Sequence, residues 1–99
     1  MPRQIIWSSL SEQDFSAILV YLSENWDNKV VLKFIDIIDE LIRQISINPK
    51  QFPIIQKKNK IRKCVITKHN TLYYRERKGY VDILRVYDNR QDPRKLKFI

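Results

Sequence analysis

The side chains best suited to acid–base or metal chemistry are scarce in this chain. Its 99 residues include one histidine, His69, and one cysteine, Cys64. A single cysteine makes neither an internal disulfide nor a cysteine-based zinc site, and a single histidine excludes any metal motif that needs two. We therefore expect no metal and no cofactor, and we interpret Cys64 as a small buried apolar residue.

His69 is the one side chain whose ordinary pKa, about 6.5, suits a general base at neutral pH. It lies in a predicted turn between Lys68 and Asn70, where a hydrogen-bonding structural role is the more common one. Metal-free cleavage of RNA needs a base, an acid and a group that stabilises the charge on phosphorus. Lys and Arg readily perform the last task, and the chain has nineteen of them.

The N-terminal half predicts a strand and two helices. Residues 3–8 are β-prone, and Ser11 is a suitable cap for a first helix. Apolar residues then recur at helical spacing in two segments separated by a turn at residues 25–28. The second helix is expected to end at Asn48-Pro49, because the residue before a proline disfavours helical geometry. Two helices joined by so short a turn are expected to pack as an antiparallel hairpin.

The C-terminal half predicts a sheet. After a lysine-rich connector, residues 50–60, three strand-like segments follow, namely Ile61–Ile66, Thr71–Arg77 and Tyr80–Tyr87. Gly79 suits a tight turn between the last two, because it tolerates a positive φ. The predicted fold class is α+β: a single domain, residues 1–99, with an N-terminal strand and a helical hairpin packed on one face of a three- to four-stranded antiparallel sheet.

A sheet covered by helices on one face leaves its other face open. On the middle strand Thr71, Tyr73, Arg75 and Arg77 alternate with more apolar residues, so this set is our candidate for the open face. Tyr73, Arg75 and Arg77 on this face are candidate binding residues, and Arg62 is a further one. The alternating sets of the last strand both contain apolar residues, so its register stays open.

Three further residues have alternative interpretations. Trp26 at the hairpin tip is either a staple against the sheet edge or an exposed anchor for a protein partner. Arg85 either reaches the open face or pairs with Asp82 or Glu76. Arg90 is expected to form a bidentate salt bridge with Asp88.

Charge is unevenly divided along the chain. Residues 1–49 contain four basic and seven acidic side chains, a net charge of −3, whereas residues 50–99 contain fifteen and four, a net charge of +11. Such a field steers anionic partners, either nucleic acid or an acidic protein segment. No apolar run is long enough for a transmembrane segment, and the N-terminus does not look like a signal peptide, so we expect a cytoplasmic protein without membrane contact.

The C-terminal half resembles the RelE/ParE superfamily of bacterial type II toxins. The similarity is carried by Ile61-Arg-Lys, by Lys68-His-Asn-Thr-Leu-Tyr-Tyr-Arg75 and by Ile83-Leu-Arg-Val-Tyr-Asp-Asn-Arg-Gln-Asp-Pro93. Tyr21-Leu-Ser-Glu-Asn-Trp26 and Ile47-Asn-Pro49 resemble the ParE-like branch. The resemblance implies neutralisation by a cognate antitoxin. It also implies one of two targets: DNA gyrase for ParE-like toxins, or mRNA on the ribosome for RelE-like endoribonucleases.

Only part of the ribonuclease constellation matches. By position Lys63 and Arg90 fall near the family's basic strand residue and its arginine after the last strand, and Arg85 and Tyr87 are further candidates. The arginine expected before the Leu-Tyr pair is replaced by Asn70 or Thr71, and the chain lacks a C-terminal His-Tyr end. We therefore predict a ParE-like gyrase inhibitor that acts by binding, with the RelE-like ribonuclease as the alternative. The antitoxin is expected on the basic sheet face and the connector.

Overall fold

The computed structural model describes residues 2–98. The helices and strands are β1 (Gln4–Trp7), α1 (Ser9–Asn25), α2 (Asn28–Ile47), β2 (Ile54–Gln56), β3 (Ile61–Thr67), β4 (Asn70–Arg77) and β5 (Tyr80–Asp88). Single 3-10 turns lie at Pro49–Gln51 and Pro93–Lys95. This order confirms the predicted α+β class. No helix within the described residues is long and apolar enough to cross a membrane.

The sheet has five strands in the order β1-β5-β4-β3-β2, and it is mixed. Strands β2 to β5 pair antiparallel, whereas β1 runs parallel to β5. The prediction of three to four antiparallel strands was therefore wrong in number and in the direction of one pair. β2 is three residues long and lies in the connector, where no alternation marks it. The partner of β1 is more than seventy residues away, for example Ile6 beside Asp82, and no local pattern specifies such pairing.

The first helix is capped by Ser8, not by Ser11 as predicted. Ser8 has extended backbone geometry, and its hydroxyl oxygen accepts the Ser11 N–H at 3.0 Å. The Ser8 hydroxyl also lies 2.9 Å from the Leu84 carbonyl oxygen, so the cap ties α1 to β5. Ser11 is fully buried in the first turn. Both serines can cap a helix, and the end of β1 at Trp7 decides between them.

The helical hairpin is as predicted. Trp26 and Asp27 connect the two helices, and the Asp27 carboxylate accepts the Val30 N–H at 3.2 Å as the cap of α2. α2 ends at Ile47, just before Asn48-Pro49. An N-terminal carboxylate satisfies an amide that has no partner within the helix, and the proline prevents continuation.

The core lies between the hairpin and one face of the sheet. Its buried side chains are Phe34, Ile38, Ile45, Cys64, Leu72, Tyr74, Val81, Ile83 and Val86. The buried Tyr74 hydroxyl donates to the Pro49 carbonyl oxygen at 2.6 Å, which ties the end of α2 to β4. The core also confirms that Cys64 is buried.

A β-bulge in β5 explains why its register could not be read from alternation. Tyr74 pairs with Ile83 and Tyr73 pairs with Arg85, so Leu84 is the extra residue. After the bulge Val86 returns to the core, while Arg85 follows Leu84 on the side without helices. Two successive residues therefore share one face, which a strict period of two does not allow.

Candidate functional site

The helix-free face of the sheet brings together several residues predicted from the sequence. Lys63 on β3 is paired with Tyr73 on β4, and Tyr73 is paired with Arg85 on β5. Paired residues on adjacent strands lie side by side on one face, so these three form a row across the sheet. Arg75 lies two residues along β4 on the same face. The predicted open face is therefore the helix-free one.

Arg85 is held by an acid that the sequence did not suggest as its partner. Its Nε and Nη2 donate to the two Asp14 carboxylate oxygens at 2.7 and 2.9 Å. Asp14 also accepts the Val86 N–H at 3.1 Å. Since β1 pairs with β5 only as far as Ile83, Asp14 is the acceptor for this amide beyond the end of β1. The hydrogen bond that Arg85 donates to Asp14 raises the pKa of Arg85 above its ordinary value. Of the two alternatives for Arg85, the position on the open face is the one observed; it does not pair with Asp82 or Glu76, because those acids bind other arginines.

Asp82 instead serves two arginines of the open face. Its Oδ2 lies 3.3 Å from Arg75 Nε and 3.4 Å from Arg77 Nε. Glu76 forms an ion pair with Arg3. The Arg75 and Arg77 guanidinium groups on β4 are thus oriented by one carboxylate of β5.

Two tyrosines of the helix-free face, Tyr73 and Tyr87, are poorly placed to act as bases. Tyr87 is buried, and its hydroxyl donates to the Asp92 carbonyl oxygen at 2.6 Å. Burial, with a smaller contribution from Tyr87, raises the pKa of Tyr73 above its ordinary value. A phenol with a raised pKa stays protonated at neutral pH and does not accept a proton from a substrate.

The C-terminal segment, residues 92–98, crosses this face. Besides the Tyr87 contact, the Lys97 carbonyl oxygen accepts Arg85 Nη1 at 2.7 Å. The Phe98 ring packs edge-on against Tyr73, with ring centroids 5.4 Å apart. The segment forms no strand, and contacts with Tyr87, Arg85 and Tyr73 hold it against the helix-free face.

A separate groove of about 660 Å³ opens between the helical hairpin and the end of the sheet. The apolar side chains that line it come from both helices: Ile18, Leu22, Trp26, Val30, Phe34 and Ile37. Its polar lining includes Lys33, His69, Asp88 and Arg90. Trp26 is 60% exposed, so of its two predicted roles the exposed position is the one observed.

Arg90 belongs to this groove. Its Nε and Nη2 donate to the Asp88 carboxylate at 3.0 and 2.8 Å, which confirms the predicted bidentate pair. Its guanidinium carbon lies 5.5 Å from the centre of the Tyr21 ring. The hydrogen bond from Arg90 lowers the pKa of Asp88. Lys63 and Arg90, the two residues matched by position to a ribonuclease site, therefore lie on different surfaces.

His69 and Arg62 have backbone partners. The His69 carbonyl oxygen accepts the Asn89 N–H at 2.7 Å, and its own N–H donates to Thr67 Oγ1 at 3.2 Å. Arg62 Nη1 donates to the carbonyl oxygens of Lys50 and Phe52 at 3.2 and 2.6 Å. Arg62 precedes Lys63 on β3, so its side chain points to the opposite, helix-covered side of the sheet. It binds the connector, residues 50–60, and lies apart from Arg75 and Arg77.

Sequence reasoning missed the roles of Asp14, Tyr21 and Lys33. Tyr21 and Lys33 line the groove, and Asp14 lines it while holding Arg85. The helical spacing of Ile18, Leu22 and Trp26 was visible, but it does not distinguish a groove from a core. Within residues 2–98 no three His, Cys, Asp or Glu side chains are placed to hold a metal ion.

Comparison with known proteins finds one family and one fold. Residues 5–93 match the sequence profile described as "ParE toxin of type II toxin-antitoxin system, parDE". A solved structure titled "Chromosomal ParDE TA system from P. aeruginosa" is similar in fold, with a TM-score of 0.73 at 16% sequence identity. The match covers 87% of this chain and 95% of that chain. No curated protein sequence matches the chain.

Proposed function

We propose, because the chain belongs to the ParE toxin family of type II toxin–antitoxin systems, that it inhibits DNA gyrase by binding the enzyme and is neutralised by a cognate antitoxin. The dispersal of the candidate catalytic residues supports binding over bond-making chemistry. Lys63 lies on the helix-free face and Arg90 in the groove, while the Arg85 guanidinium is occupied by Asp14. Acid–base catalysis needs its groups within roughly 3 Å of the protons that they move.

The groove supports the antitoxin contact. It offers an apolar channel of the kind that receives one face of an amphipathic helix, and Trp26 is an exposed aromatic anchor within it. Lys33 at its polar side would receive an acidic residue on that helix. We place the antitoxin here rather than on the sheet face predicted from the sequence, because residues 92–98 already cover part of that face.

The test is a supercoiling reaction with purified gyrase. The protein is expected to inhibit supercoiling, and the antitoxin encoded beside it is expected to restore the activity. In cells, controlled expression should reduce thymidine incorporation before methionine incorporation. Translation that fails first, with normal supercoiling, would favour the ribonuclease alternative and make Lys63 and Arg90 the variants to examine. If neither process changes, the proposed target is wrong.

A further inference from the structure

Arginines and lysines are used differently in this molecule. Seven of the eight arginines form an ion pair with a carboxylate of the same chain. The eleven lysines are all exposed, and none forms an ion pair with a carboxylate of residues 2–98. The positive charge that is available to a partner is therefore lysine charge.

Six of these lysines surround the helix-free face. Lys57, Lys58 and Lys60 lie in the turn between β2 and β3, Lys63 lies on β3, and Lys95 and Lys97 lie on the C-terminal segment. A cavity of about 260 Å³ joins the two groups, because its lining includes Gln56 at the end of β2, Asn59 from the turn, and Lys97 and Phe98 from the segment. Residues that are up to forty positions apart thus form one basic surface, which we call the lysine face.

Exposed acids lie on the opposite side of the molecule. Glu12, Glu24, Asp36 and Asp39 are on the outside of the two helices, and none of them forms an ion pair with a basic group of residues 2–98. A molecule with this polarity turns its lysine face towards a polyanion as it approaches. Asp82, a carboxylate on that face, is shared by two arginines.

We propose that the lysine face binds the phosphate backbone of duplex DNA without sequence preference. Lysines are compact charges on flexible stems, which suit phosphate contacts, whereas the arginines that could read base edges are held by carboxylates. Stacking of single-stranded bases needs free aromatic rings, but Tyr73 is covered by Phe98 and Tyr87 is buried. An acidic protein segment would require apolar anchors, and Ile61 and Leu84 of this face are buried.

The experiment is a salt titration of binding to a fluorescent duplex of about 20 base pairs, followed by anisotropy. Six phosphate contacts predict a slope of log affinity against log salt of about −5, because each contact contributes about −0.9. The variant Lys63→Gln/Lys97→Gln is expected to bind about tenfold more weakly near 100 mM salt and to give a slope about two units shallower.

The matched control is Lys29→Gln/Lys50→Gln, which removes the same charge from exposed positions on the helix side. It should change affinity by less than about twofold and leave the slope unchanged. Equal losses in the two variants would overturn the proposal, since net charge alone would then explain binding. So would tighter binding to a single strand of the same length, or equally good competition by polyglutamate. Gyrase is absent from this assay, so its result is independent of the function proposed above.

Discussion

Ion pairs between distant residues determine what the individual side chains of this protein can do. Asp14 is an example, because it binds two nitrogens of Arg85 and the Val86 N–H across more than seventy residues. Both side chains of the pair are largely buried, with 12% and 17% exposure. A residue chosen as a catalytic candidate is therefore a structural link between α1 and β5.

Removing the acid of this pair should be costly. Asp14→Ala leaves a partly buried guanidinium and a strand amide without their acceptor, so we expect a loss of about 3 kcal/mol in the free energy of unfolding. Urea denaturation measures it. Glu40→Gln, which breaks the exposed pair with Arg43, should leave the midpoint near that of the wild type. Similar midpoints for the two variants would contradict the structural role of Asp14.

The difference in stability between the wild type and Tyr74→Phe is expected to change sign with pH. Its hydroxyl is fully buried and bonded to Pro49, so at pH 7 Tyr74→Phe should be less stable by about 1 kcal/mol. Burial raises the pKa of Tyr74 from 10.0 to about 12. This contribution of the tyrosine is complete below pH 10 and is lost between pH 10 and pH 12, because only the unfolded chain ionises there.

The measurement is chemical denaturation of both proteins from pH 7 to pH 11.5. The wild type should lose its advantage as the pH rises above 10, and Tyr74→Phe should become the more stable protein near the upper end. The Cys64 thiol, whose pKa burial raises to about 11, is present in both proteins. A difference that stays constant with pH would show that Tyr74 does not ionise on unfolding as described.

At the scale of elements, the β4–β5 hairpin depends on its glycine. Gly79 has a φ of +85°, and a Cβ atom placed there would meet no atom within 4 Å. Gly79→Ala should therefore cost about 1 kcal/mol through backbone conformation alone, and Gly79→Asn should cost less, because asparagine tolerates left-handed geometry. Thermal unfolding of the two variants tests this order. Equal costs would indicate that the turn changes conformation.

The strands also show where local patterns stop being informative. The predicted limits of β3, β4 and β5 agree with the structure to within about one residue, because alternation and turn residues are local signals. The bulge at Leu84 is not local: it is set by how β5 pairs with β4 and by Asp14 binding the Val86 amide. It is also the feature that places Arg85 on the helix-free face.

At the scale of the whole molecule, the two surfaces are built differently and can be tested separately. The groove has a largely apolar lining that includes Trp26, whereas the lysine face is basic and includes the C-terminal segment. Trp26→Ala should weaken antitoxin binding at least tenfold without loss of stability, because an exposed aromatic anchor contributes to an interface and little to the fold.

Leu32→Ala is the matched control for that variant. Leu32 lies on the exposed side of α2, it has the same 60% exposure as Trp26, and it does not line the groove. Calorimetric titration with the antitoxin should give wild-type affinity for Leu32→Ala. Equal affinities for Trp26→Ala and wild type would place the antitoxin elsewhere, and the sheet face would be the next surface to test.

The sequence by itself determined the class of fold, the hairpin, the last three strands and the basic C-terminal half, since each follows from periodicity, capping, turn residues or composition over short stretches. It also carried the resemblance to the toxin family, which the profile match over residues 5–93 confirms. The sequence did not show how the candidate site residues are divided between surfaces. Lys63, Tyr73, Arg75 and Arg85 meet on one face of the sheet, while Trp26 and Arg90 line the groove.

The tertiary structure alone decided the parallel pairing of β1, the partner of Arg85, the groove and the position of the C-terminal segment. Each of these joins residues that are far apart in the chain, as Asp14 and Arg85 are. Such contacts form only when the hairpin packs on the sheet, and the burial that drives this packing is not directional. Local sequence patterns therefore specify which faces of the helices and strands are buried. The tertiary structure decides which charged side chains come into contact.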